Sequence, residues 1–123
     1  MGESSFQAAF NKWLDEGLSQ PIPHSVIAFA FNLYKPWASE IIGSDTYSES
    51  DPDWACDESF RPELEQLQLP ELKSATQEEV LENAKRLLSA YIDRQSPGRE
   101  QLRQAHAVAV GFIDGDFHRV WPR

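Results

Sequence analysis

Residues 26–35, VIAFAFNLYK, set Ile27, Phe29, Phe31 and Leu33 against Val26, Ala28 and Ala30. A period of two marks a strand and sends the two sets to opposite faces of a sheet. One face is bulky and needs a thick apolar layer over it. The other is small, which predicts an element packed closely on it, most simply a helix. The stretch 107–112, AVAVGF, has the same character, with Ala107, Ala109 and Gly111 as its small set.

The intervening signals fit a sheet of this kind. Lys35-Pro36 predicts a turn, after which 37–47, WASEIIGSDTY, returns as an antiparallel strand. Asp114-Gly115, between two β-rich runs, predicts a two-residue type I′ hairpin, because Asp tolerates and Gly favours positive φ. That register pairs Phe112 with Phe117 and Val108 with Trp121, and puts His118 on the small face. Two helices complete the set. Ser4 is positioned to cap the first, with Gln7 at the capping-box position and Phe6, Ala9, Phe10, Trp13 and Leu14 as its stripe before Gly17 stops it. Thr76 caps the second, with Glu79 closing the box, Val80, Leu81, Ala84, Leu87, Leu88, Tyr91 and Ile92 as the stripe, and Glu82 facing Arg86. Ser96-Pro97-Gly98 ends it, and 99–104 adds a brief helical turn. The expected fold is α+β: one domain over 1–123, a mainly antiparallel sheet of about four strands with two amphipathic helices packed on it. A chain of 123 residues with 41% hydrophobic residues builds such a core without disulfides.

The segment between strand and second helix is different. Residues 48–75 contain Pro52, Pro62 and Pro70 and no clean period, predicting a long acidic loop over about 44–75 with at most a helical turn near 63–68. Within 40–71 ten acids stand against one base, Arg61, while the other ten acids of the chain face ten bases. The net charge of −9 therefore belongs to this segment. Its field repels nucleic acid and anionic membranes and speeds association with basic proteins. Tyr47 and Trp54 interleave with Asp45, Asp51, Asp53, Asp57 and Glu58, a composition suited to an aromatic anchor ringed by steering charges. Trp54 and Phe60 have a plainer alternative use, pegging the loop to the core.

Catalytic and metal chemistry finds less support. No phosphate loop, dinucleotide fingerprint, HExxH, paired CxxC or GxSxG occurs. The run 51–58, DPDWACDE, offers carboxylates for a divalent cation, but an EF-hand counted from Asp51 needs Gly where Cys56 stands and Glu where Pro62 stands. A cation site or cation-dependent enzyme using the 45–58 carboxylates, with Asp114 or Asp116, stays as the alternative. Zinc would need Cys56 with some of His24, His106 and His118, which lie in three separate segments without ligand spacing. Neighbouring carboxylates suppress the Cys56 thiolate, so a small buried hydrophobe is the simpler role. The lone cysteine and the absence of a signal or spanning segment predict a soluble, cytoplasmic chain, monomeric or homodimeric, with no cofactor.

Three strings, FNLYK at 31–35, DWACDE at 53–58 and VGFIDGD at 110–116, are together similar to segments of small acidic bacterial cytosolic proteins. Some of those resemble the immunity proteins that accompany polymorphic toxins. The resemblance implies a non-enzymatic inhibitor fold that presents an acidic face to a basic toxin domain. It implies no catalytic residue. The partner surface expected on these grounds is Asp45, Tyr47, Asp51, Asp53, Trp54, Asp57 and Glu58.

Overall fold

Periods of two and of 3.6 residues alternate along the chain, and the elements follow them. In the computed structural model, which describes residues 5–34, 38–68, 76–94, 98–112 and 117–122, helix α1 (Ser5–Leu18) precedes strands β1 (Ala28–Tyr34) and β2 (Ala38–Ser44). A 3-10 helix (Pro52–Cys56) and two short strands, β3 (Glu58–Phe60) and β4 (Leu67–Gln68), follow. Helices α2 (Gln77–Asp93) and α3 (Arg99–Gln104) lead to strands β5 (Ala107–Phe112) and β6 (Phe117–Trp121). The α+β class is as expected, but among the described residues the sheet has six strands and is mixed. Its order is β3-β2-β1-β5-β6, with β4 also on β2. β1 and β5 lie parallel at its centre, Ala28 opposite Ala107 and Leu33 opposite Phe112. A parallel pair needs a long crossover, and here residues 35–106, with β2, α2 and α3 among them, separate β1 from β5.

The parallel register stacks like on like. Phe29 faces Val108 and Phe31 faces Val110, while Ala28 and Ala30 face Ala107 and Ala109. The bulky face carries the main core with Phe10, Trp13 and Leu14 of α1, Val80, Leu88, Tyr91 and Ile92 of α2, and Leu102 of α3. The expected covering helix on the small face is replaced by something else. Trp54 and Ala55, from the acidic segment, pack there on Ala28, Ala30, Ile42, Ala107 and Ala109. Both helices with wide apolar stripes are already needed on the bulky side, and an alanine floor lets one indole and a short 3-10 helix lie directly on the strands.

Local chemistry accounts for most boundaries. Thr76 Oγ1 accepts from Glu79 N at 3.2 Å and Glu79 Oε1 from Thr76 N at 3.1 Å, completing the expected capping box of α2. Glu82 pairs with Lys85 at 3.3 Å instead of Arg86, whose guanidinium donates to Asn83; positions three and four apart are equally within reach. Ser4 and its expected cap lie outside the described residues. α1 continues through Gly17, where an added Cβ would stand 3.1 Å from Leu64 Cδ2. Gly17 therefore serves the close approach of residues 62–64 and does not end the helix. No helical turn forms at 63–68, which contains β4; the turn falls at 52–56, where Asp51 caps it and Pro52 opens it.

The β5–β6 pairing corrects the expected hairpin. Gly111, not Phe112, is opposite Phe117, and Val110 is opposite His118. A bulge between Val108 and Ala109 then restores the expected pairing of Val108 with Trp121. Alternation consequently places Phe117 and Arg119 on the small face in place of His118, while Val120 joins the helix-side core. The Asp114-Gly115 turn lies outside the described residues. Among those residues no helix is long and apolar enough to cross a membrane.

Candidate functional site: the acidic loop on the alanine face

The 3-10 helix is short because its start is fixed by side-chain chemistry and its end by packing. Asp51 Oδ1 accepts from Asp53 N at 3.0 Å, and Pro52 needs no hydrogen-bond partner for its nitrogen. Trp54 then turns inward and is 5% exposed. Its ring meets Tyr47 edge-on at 5.2 Å and Phe117 of β6 at 6.1 Å. Ser44, fully buried on β2, donates through Oγ to the Trp54 carbonyl at 3.0 Å, and the same carbonyl accepts from Asp57 N at 3.1 Å. Thr46 Oγ1 reaches Asp57 Oδ2 at 2.9 Å. The loop is thus held to the sheet from inside, by one large ring and a small set of hydrogen bonds.

The sequence-expected surface divides accordingly. Asp45, Asp51, Asp53 and Asp57 are exposed, and among the described residues none of the four has an ion-pair partner. Tyr47 is half-buried beside them. Trp54 lies in the interior and presents almost no surface of its own. Phe60 turns to the other side of the sheet and joins the helix-side core. Glu58 is exposed but engaged, accepting from Arg61 at 2.5 and 3.2 Å.

Arg61, the lone base of the segment, is directed by a second group of residues. Asn32 and Glu40 are opposite each other on β1 and β2, on the small face, at positions the apolar alternation would leave to aliphatic residues. Glu40 is 8% exposed. It accepts from Asn32 Nδ2 at 3.2 Å, from the Tyr34 hydroxyl, and from Arg61 at 2.7 and 3.4 Å. Burial pushes the Glu40 carboxyl upward, but the bonds from Tyr34, Arg61 and Asn32 outweigh it and hold the group below the usual carboxylate range. Burial, with Glu40 as its hydrogen-bond acceptor, raises the Tyr34 phenol well above its usual value. Glu58 and Glu40 together raise Arg61 in the same way. The chemistry is an ion-paired bridge from Glu40 and Glu58 to Arg61 that ties residues 58–61 to the sheet.

Sequence reasoning missed this cluster and one further pair. Arg119 NH1 on β6 donates to Glu49 Oε1 at 2.6 Å, linking the loop to the sheet's edge. Polar residues at in-phase strand positions were the available signal for Asn32 and Glu40. No local signal existed for Glu49 with Arg119, which are distant in sequence.

Two open depressions flank Trp54. One of about 620 Å³ is lined by Tyr47, Glu49, Trp54, Phe117 and Arg119, among others. The other, about 520 Å³, is lined by Thr46, Tyr47, Asp51, Asp53, Trp54 and Asp57. Among the described residues no three His, Cys, Asp or Glu side chains are grouped to hold a metal ion. The Cys56 side chain, Asp114 and Asp116 lie outside that description. His24, His106 and His118 are exposed and lie in separate segments, before β1, before β5 and on β6. Comparison with protein-family models, curated proteins and solved structures finds no match for this chain.

Proposed function

We propose that this chain is a non-enzymatic binding protein that docks a basic protein through its 45–58 loop. The observation carrying this reading is the contrast between two kinds of acid in one segment. Glu40, Glu49 and Glu58 are matched by Arg61 and Arg119, whereas Asp45, Asp51, Asp53 and Asp57 stand exposed with no ion pair among the described residues. A loop that is fastened internally by Trp54 presents those charges without a large ordering cost on binding. Such a surface suits an immunity-like inhibitor that covers a positive groove, the form the sequence resemblance implies. Its charge steers the encounter, and exposed carboxylates at the rim act more on association rate than on dissociation.

The test is a comparison of wild type with the Asp45→Asn, Asp51→Asn, Asp53→Asn, Asp57→Asn variant. Proteins captured by each are identified, and association of the captured partner is followed by stopped flow over a range of salt. The expected partner is basic, and neutralisation slows association by about tenfold or more at low salt, converging at high salt. Equal capture by both forms, with equal rates, removes the loop from the interaction.

A further inference from the structure

The larger depression has a chemistry apart from the four exposed aspartates. Tyr47 and Phe117, backed by the buried Trp54 ring, form its aromatic side, and Glu49 stands at its rim. Across it, from β6, Arg119 places a guanidinium on the Glu49 carboxylate. An arginine head group therefore already sits at this cleft, supplied by the protein itself. The contact is a single bond of 2.6 Å, where a carboxylate can accept two from one guanidinium. Both side chains are open to water, Glu49 70% and Arg119 43% exposed. A pair so solvated is among the weakest ion pairs, and another cation displaces it at little cost.

The surroundings specify which cation. Aromatic walls favour a planar, weakly hydrated guanidinium over an ammonium, because it stacks on rings while bonding a carboxylate through its edge. The neighbouring depression, lined by Asp51, Asp53 and Asp57, shares Tyr47 and Trp54 with this one, so the local potential opposes any anionic occupant. A volume near 620 Å³ accommodates a guanidinium with part of the chain that carries it. From these features we infer that the cleft bounded by Tyr47, Glu49 and Phe117 seats an arginine side chain of the basic partner, and that Arg119 is the internal placeholder it displaces. The inference rests on the docking role proposed above and narrows it to one recognition residue and one seat.

N-acetyl-arginine methylamide is the probe, with its lysine and citrulline counterparts as controls, titrated at low salt into the full chain and followed by NMR. Saturable shifts are expected at Tyr47, Glu49, the Trp54 indole and Phe117, with arginine roughly threefold or more tighter than lysine and citrulline silent. Glu49→Gln and Phe117→Leu each abolish the arginine preference. Arg119→Gln removes the competitor and tightens arginine by about three- to fivefold. Glu49 and Arg119 are exposed, so their variants keep the fold. Equal binding of arginine and lysine, with shifts centred on Asp51 and Asp53, overturns the seat and leaves the docking loop standing. No binding of either cation overturns the seat, and the docking role is then decided by the partner association of the four-aspartate variant alone. Unchanged affinity in Arg119→Gln overturns the placeholder.

Discussion

Replacing Trp54 by alanine removes the indole that roofs the alanine floor of the sheet. A tryptophan side chain buries roughly 200 Å², and at about 25 cal/mol per Å² that corresponds to some 5 kcal/mol of apolar transfer. The unfolded chain already hides part of that area, so a loss of about 3–5 kcal/mol is expected, in the range of large-to-small core substitutions. Unfolding entropy near 2.1 cal/mol/K per residue gives roughly 0.26 kcal/mol/K for a chain of this length. The melting midpoint should then fall by about 12–19 °C. Circular dichroism melts measure it, with urea titration as an independent check. Trp54→Phe, which keeps a ring on Ala28 and Ala109, should recover about half. A fall of less than about 4 °C refutes the reasoning. It would mean that the loop and its indole contribute nothing to the cooperative fold, as a purely surface-mounted anchor would.

Two further outcomes follow from side chains in the same neighbourhood. Glu40 has a folded-state pKa below its ordinary value of 4.5, so its stabilising effect is present above that value and is lost as pH falls through the folded-state pKa. Wild type should exceed Glu40→Gln by about 1–3 kcal/mol at neutral pH, shrinking in acid; urea titrations from pH 7 to 3 measure the difference, and a pH-independent gap rules the carboxylate out as its source. Gly43 on β2 has Val26 Cγ1 where an added Cβ would stand, 2.8 Å away, and Phe60 Cβ at 3.2 Å. Gly43→Ala should cost about 1–3 kcal/mol, partly restored by adding Val26→Ala; a neutral melt for the single variant contradicts the close approach.

The parts of the fold legible in the sequence are those written in local chemistry. Thr76 with Glu79, and the stripe from Val80 to Ile92, declare α2 because both cap and stripe depend on residues within a few positions of each other. The alternation in 26–35 declares β1 and also its two unlike faces. β3 and β4 are too short for an alternation to register, and the parallel union of β1 with β5 depends on partners that no local pattern names. The small face was readable; what covers it was not. The same Ala28, Ala30, Ala107 and Ala109 would admit a helix or a loop, and the choice is made by how many apolar stripes the rest of the chain has left to offer. At the site, the charge of Asp45, Asp51, Asp53 and Asp57 was plain from composition, but the inward turn of Trp54 depended on that same covering choice.

The central parallel pair also dictates an order of events in folding. β1 and β2 are joined by a short connection and can meet early, but Ala28 through Leu33 gain their second neighbour only when residues 107–112 arrive. Closing so long a chain segment is entropically slow and is rewarded only at the end. Until then the β1–β2 ribbon has a bare hydrogen-bonding edge along Phe29, Phe31 and Leu33, and the alanine floor on which Trp54 rests is only half laid. The loop is therefore expected to settle into place only once β5 has docked, and chains cut before β5 should expose an adhesive strand edge and aggregate.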